Sequence, residues 1–148
     1  MSTGVPAGRV TEFPAGNSQR DLKISAAAWV AQDKLLITEG GDLAPVKVVL
    51  VDLTGATDVK DLASAAAVPL VYENVNTDFA ALGITLAATT VVLDIGAEFP
   101  EITDRKLEGL SILNPMEISI SNDNDFGIGA DPNSVSKIYT IRLSTPLR

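Results

Sequence analysis

The run that most constrains the fold is VKVVLVDL, at residues 46–53. It is dense in valine and contains neither Gly nor Pro. Valine side chains crowd a helix but pack well on the pleated surface of a sheet. The run therefore predicts a β-strand, and the turn residues Gly55 and Asp58 that follow it predict that the strand ends there.

Short segments of the same kind recur along most of the chain, separated by turn residues about every ten positions. Helix-forming patterns are scarce, with only 58–67 and 77–82 as candidates. This pattern predicts an all-β fold with antiparallel sheets. The further predicted strands cover residues 22–30, 35–40, 68–75, 85–95, 106–113, 116–123 and 136–144.

A weak internal repeat indicates how these strands are grouped. The order strand, turn, strand, connection, strand occurs twice, and each unit carries an acidic residue on an early strand, Glu39 or Glu108. Tandem four-stranded units are typical of propeller blades. We therefore expect one β-rich domain or fragment over 1–148, forming a partial β-propeller of about two four-stranded blades; a β-sandwich is the alternative. The expected parts are 9–16 as the end strand of a preceding blade, 22–75 as a blade, 85–95 as the connection and 106–144 as the last blade.

The composition restricts the chemistry that the chain can perform. It has no His and no Cys, which excludes Ser-His-Asp and Cys-His couples within the chain. The remaining means are carboxylates, hydroxyls, amides, Lys, Arg and hard cations such as calcium. With 19 acidic and 11 basic residues the net charge is −8, which argues against binding to nucleic acid or to anionic membranes. No apolar run reaches the roughly 18 residues of a membrane span.

Three segments together resemble the "esterase-like activity of phytase" domain, a phytase-like family of bacterial β-propellers. They are VVLVDLTGATDV at 48–59, KLEGLSIL at 106–113 and ISNDNDFGI at 120–128, in the order of the family's C-terminal part. The resemblance implies an extracellular or periplasmic location and hydrolysis of a small-molecule phosphate ester or ester. A propeller needs at least four blades, so about two blades imply either missing N-terminal blades or self-association.

The candidate site residues are acidic. If the strand continues through Asp125, then Asp123 and Asp125 lie on one side, and with the neighbouring Asn122 and Asn124 they offer oxygen ligands for calcium. The alternative is a turn in which these side chains accept hydrogen bonds from the backbone.

Glu108 has two interpretations as well. The resemblance implies that it faces the propeller channel, where it could bind a cation or act as the general base on a metal-bound water. The alternative is an exposed glutamate at a strand edge. Glu39 has the same two interpretations, although Gly40 follows it where the family commonly has Arg. The expected calcium site therefore consists of Glu39, Glu108, Asp123 and Asp125, with Glu108 as the catalytic residue.

Two further residues carry structural expectations. Asp52 is expected to accept backbone hydrogen bonds in the turn through Thr54 and Gly55. Trp29 alternates with Ala residues and is expected in the core. A different functional class also remains open: a non-catalytic binding or structural module whose open sheet edges need a partner.

Overall fold

The structure is a computed structural model, and it describes residues 23–40, 46–59, 78–104, 106–124 and 135–148. Over these ranges the chain is mostly β, with two antiparallel sheets and one short helix, α1 (Ile95–Glu98), so the all-β prediction is confirmed. The strands are β1 (Lys23–Ala31), β2 (Lys34–Gly40), β3 (Lys47–Asp52), β4 (Ala88–Asp94), β5 (Leu107–Asn114), β6 (Glu117–Asn122) and β7 (Ile138–Arg142).

The first sheet has the order β1-β2-β3-β4, so each strand pairs with its neighbour in sequence. The valine-rich β3 lies inside this sheet, as its composition predicts, with β2 on one side and β4 on the other. β1 and β2, predicted as strands over 22–30 and 35–40, form an antiparallel hairpin. It turns at Asp33, whose φ of 58° lies in the left-handed region that Asp tolerates better than most residues.

The placement of residues 85–95 in the connection between blades is wrong. β4 pairs with β3 from Lys47↔Asp94 to Asp52↔Ala88 and is the fourth strand of the first sheet. The β-branched pattern identified the strand correctly, but the pattern does not specify a partner across a 35-residue connection. The predicted strands 9–16 and 68–75 lie outside the described residues.

The second sheet has the order β5-β6-β7. A tight turn joins β5 to β6, and in it the side chain of Asn114 accepts a hydrogen bond from the Met116 amide at 2.9 Å. Within the described ranges this sheet has three strands, which confirm the three strands predicted over 106–144.

The two sheets share one hydrophobic core. β1 and β2 lie against β5, and the buried cluster draws on both sheets. This arrangement is compatible with the sandwich-like alternative, and the part of the chain that the structure describes shows no closed propeller. The buried members of the cluster are Leu36, Val46, Val48 and Leu93 in or next to the first sheet, Ile95 in α1, and Leu107, Ile118, Ile120, Ile141, Leu143 and Leu147 in or after the second sheet.

The first sheet is apolar on its other face as well, where Ile37, Val49 and Val51 form a second buried cluster. Trp29 lies on this side, opposite Leu35 on the neighbouring strand. It is 70% exposed, so the prediction of a core tryptophan is wrong. The alternation in β1 correctly predicts a strand, but the face that carries Trp29 is turned away from the second sheet.

The turn after β3 confirms the role predicted for Asp52. Its carboxylate accepts a hydrogen bond from the Thr54 amide at 2.9 Å, and Gly55 follows with a φ of 75°. The hydrogen bonds of Thr54 are the main cause that holds the pKa of Asp52 below its ordinary value. Residues 79–83 form turns instead of the expected helical turn, and the carboxylate of Asp78 accepts a hydrogen bond from the Ala81 amide at 3.0 Å.

Candidate functional site

One end of the two sheets gathers nine of the described charged side chains, and we call it the charged end. There β1, β3, β5 and β7 begin and β2, β4 and β6 end. Both signs of charge are present, so this end can meet an anion or a cation. Its charged residues are Lys23, Glu39, Lys47, Asp94, Asp104, Lys106, Glu108, Asp123 and Lys137.

Glu108 lies where the two sheets meet. It stands at an irregularity of β5, between the paired residues Leu107 and Gly109, and its Oε1 accepts a hydrogen bond from the Nζ of Lys23 at 2.6 Å. This ion pair links β1 to β5 and is partly exposed, so its contribution to stability is at most about 1 kcal/mol. Glu108 is thus neither fully exposed nor isolated, and an ammonium group accompanies its carboxylate.

Glu39 lies on the other side of the first sheet. Side chains alternate along β2, so Glu39 points to the same side as Ile37, which belongs to the second buried cluster, and Thr38 points to the opposite side. Lys23 pairs instead with Gly40 and reaches towards the second sheet. Glu39 is buried, with 4% of its surface exposed. The register therefore does not bring Glu39 and Glu108 together on one face.

Asp123 directly follows β6 and lies beside the start of β5. Its amide donates a hydrogen bond to the Lys106 carbonyl at 2.8 Å. The backbone thus brings together the SND and KLEG segments, which the sequence suggested as parts of one site. Asp125 lies outside the described residues. Among the residues that the structure does describe, no three acidic side chains form a group that could hold a metal ion, so the four-ligand calcium site stays a prediction.

Asn122 has a backbone-supporting role at this end. Its Oδ1 accepts a hydrogen bond from the Lys137 amide at 2.6 Å, and its Nδ2 donates to the Val135 carbonyl at 3.2 Å. Both bonds hold the chain that leads into β7. This geometry matches the alternative in which the Asx side chains of this segment cap backbone groups.

A second charged group at this end centres on Asp104, which lies in the connection between the sheets. Its carboxylate accepts hydrogen bonds from the Nζ of Lys137 at 3.0 and 3.2 Å, and from the hydroxyl of Tyr139. Burial acts to raise the pKa of Asp104, but the bonds from Tyr139 and Lys137 outweigh it and lower this pKa. The bond to Asp104 raises the pKa of Lys137, and burial followed by the same carboxylate raises the pKa of Tyr139.

Sequence reasoning missed the Asp104, Lys137 and Tyr139 group. One signal was available, because Lys137 and Tyr139 are two residues apart in a predicted strand and so lie on the same side. Nothing local indicated Asp104, which is 33 residues away from Lys137. The group ties β7 to the segment that precedes β5.

Comparisons of the chain with protein-family models, with curated proteins and with solved structures found no match. Within the described ranges, no helix has the length and apolar character that a membrane crossing requires. The arrangement at the charged end and the motifs of the sequence are therefore the basis for a functional proposal.

Proposed function

We propose that this chain is a phytase-like β-propeller module whose charged end hydrolyses a phosphate ester or ester with the help of calcium. The observation that carries this proposal is the contact between the start of β5 and the end of β6, which we call the β5–β6 junction. There the backbone bond from Asp123 to Lys106 brings two of the resembling segments together, with Glu108 on the same stretch of β5. The resemblance also suggests an extracellular or periplasmic location.

The roles follow from the chemistry of the side chains at this junction. Glu108 acts as the base towards a water molecule, and Asp123, whose amide bonds to the Lys106 carbonyl, serves as an oxygen ligand for the cation. Lys23, which donates a hydrogen bond to Glu108, attracts the anionic ester. Asp125 completes the ligand set in this proposal, while Glu39, across the first sheet, contributes to the electrostatic field and does not contact the ester.

Hydrolysis of p-nitrophenyl phosphate and p-nitrophenyl acetate, with and without calcium at about 1 mM, tests the proposal. We expect a calcium-dependent rate that falls at least about 100-fold in Glu108→Gln, which is the usual contribution of a general base. The matched control is Glu117→Gln, at the opposite end of the second sheet, which should leave the rate unchanged.

Calcium binding is measured separately by thermal unfolding. A bound cation raises the melting temperature, because it stabilises only the folded state. We expect Asp123→Asn to reduce this shift, while Glu117→Gln retains it. If neither ester is hydrolysed and calcium leaves the melting temperature of the parent chain unchanged, the hydrolytic proposal is wrong.

The second candidate is a non-catalytic module that a partner completes. The observation that favours it is the state of the outer strands: among the described strands, β4 pairs with β3 alone and β7 with β6 alone. Open strand edges are templates for another chain. Size-exclusion chromatography with light scattering tests self-completion, since the chain mass is 15.5 kDa. A multiple of this mass supports a second copy, and a strict monomer excludes it.

A further inference from the structure

The outer edge of β7 presents backbone groups in a defined register. The Leu143 amide bonds to the Met116 carbonyl at 2.8 Å, and the Asn122 amide bonds to the Lys137 carbonyl at 3.3 Å. In an antiparallel pair the hydrogen-bonded positions alternate, so the odd-numbered residues of β7 direct their backbone N–H and C=O groups towards β6. Ile138, Thr140 and Arg142 therefore direct their N–H and C=O groups away from β6, along the edge of the sheet.

The side chains of this edge are unusual for an exposed strand. Ile138 is 74% exposed, the highest value among the exposed large apolar residues that the structure describes, and Val135 nearby is 58% exposed. Ile138 lies opposite Ser121, and Ser121 lies opposite Gly109, so small residues surround the isoleucine on this face. An apolar side chain from an added strand would have space to pack on Ile138.

The charge of this segment differs from that of the whole chain. Residues 135–148 contain three basic residues and no acidic one, while all 19 acidic residues lie elsewhere. Lys137 and Arg142 stand at the two ends of β7. Arg142 lies opposite Glu117 on β6, and Lys137 bonds to Asp104, but both bases also border the open edge.

We propose that β7 binds an extended peptide segment that adds as a fourth strand, with acidic residues at its ends and apolar residues between them. Main-chain bonds to Ile138, Thr140 and Arg142 would supply the affinity, and the charges would supply the selectivity. This inference rests on the second candidate function, the open-sheet module, and is independent of hydrolysis.

A second copy of β7 supplies no partner for the basic residues of this edge. In an antiparallel β7–β7 pair the outward-facing positions lie opposite each other, so Ile138 would face Arg142 of the other copy in a pair centred on Thr140. Residues 135–148 contain no acidic side chain, so neither Lys137 nor Arg142 would gain a carboxylate. Opposite charges directly across a strand pair stabilise it, which favours a partner strand with carboxylates at these two positions.

The test uses the full chain and three fluorescent peptides, acetyl-GEVTVVEG-amide and its analogues with glutamine or lysine in place of both glutamates. The glutamates are five residues apart, which matches the spacing of Lys137 and Arg142. Fluorescence anisotropy should rank the affinities as acidic, then glutamine, then lysine, with about tenfold between the first and the last. Raising the salt concentration should weaken binding of the acidic peptide.

Two variants locate the binding edge. Thr140→Pro removes an outward N–H without removing a bond to β6, and should reduce binding of the acidic peptide at least about fivefold. Ile138→Lys is the second variant, since a lysine keeps the charge preference but removes the apolar contact. Thr89→Pro, on the open strand β4, is the matched control, and circular dichroism confirms folding of each variant.

Each outcome is decisive. If the three peptides bind equally well and Thr140→Pro weakens all of them, the β7 edge binds extended peptides but the proposed preference for acidic ends is wrong. If none binds, or if Thr140→Pro and Ile138→Lys both fold and bind as the parent does, the edge is not a docking site. If the parent chain dimerises and Thr140→Pro does not, the occupant is a second copy and the proposal of an acidic partner is overturned.

Discussion

Gly109 provides the sharpest test of the close approach between β5 and β6. A Cβ placed on this glycine would overlap the Oγ of Ser121 and would lie 3.3 Å from its Cβ. Ordinary carbon–oxygen contacts are no shorter than about 3.3 Å. Alanine at position 109 therefore requires the serine side chain to rotate or the two strands to separate.

The expected magnitude combines two opposing effects. Overpacking a well-ordered site costs about 1–3 kcal/mol. Replacing glycine by alanine also restricts the unfolded chain, which offsets up to about 1 kcal/mol. We therefore expect Gly109→Ala to reduce the free energy of unfolding by about 1–2 kcal/mol.

Urea unfolding followed by far-UV circular dichroism measures this loss in a double-mutant cycle with Ser121→Ala. Without the hydroxyl, Gly109→Ala should cost less than about 0.5 kcal/mol, so the coupling energy is about 1 kcal/mol. Gly55→Ala is the control: its φ of 75° makes alanine unfavourable, yet nothing lies within 4 Å of its Cβ. Its cost should be the same in both backgrounds. An equal penalty for Gly109→Ala with and without the serine hydroxyl would refute the reasoning.

Three further predictions address other parts of the fold. Asp104→Asn should lower the free energy of unfolding by about 1–2 kcal/mol at neutral pH. Because the pKa of Asp104 is lowered in the folded state, this difference should shrink in urea titrations as the pH falls below the ordinary pKa of Asp and through the lowered one, and a constant difference would contradict it. Ile118→Ala, at a fully buried position, should cost about 3 kcal/mol and reduce hydrogen-exchange protection in both sheets, whereas an effect confined to β5–β7 would argue against a shared core. Asp33→Ala should cost about 1 kcal/mol because of the positive φ, while Asp33→Gly should be nearly neutral; equal melting temperatures for the two variants would contradict this.

Local patterns in the sequence predicted much of the strand content. The valines of β3 indicate a strand whatever its neighbours are, because side-chain branching acts within the residue itself. The same holds for β4, which the pattern at 85–95 identified as a strand. Its partner could not be predicted in this way, because the pairing with β3 depends on how the chain returns after residue 59.

The candidate site shows the same division. Asp52 and its turn were predicted because the hydrogen bond to Thr54 spans two residues. The bond between Lys23 and Glu108 spans 85 residues and leaves no local trace. Trp29 illustrates a third case, in which alternation gives the period of a strand but not which face the rest of the molecule covers.

Because the two sheets share the core, part of the core stays uncovered while the chain is being synthesised. Each sheet is a meander of neighbouring strands, so hairpins such as β1–β2 can form as soon as they are made. The inner face with Leu36 and Val48, however, is covered by residues as far along as Leu147. Translation proceeds at about 5–20 residues per second, so this apolar face stays exposed for several seconds before the residues that cover it are made. During this interval a ribosome-associated chaperone has a hydrophobic sheet to protect, and slowing translation after β4 should increase aggregation of the nascent chain.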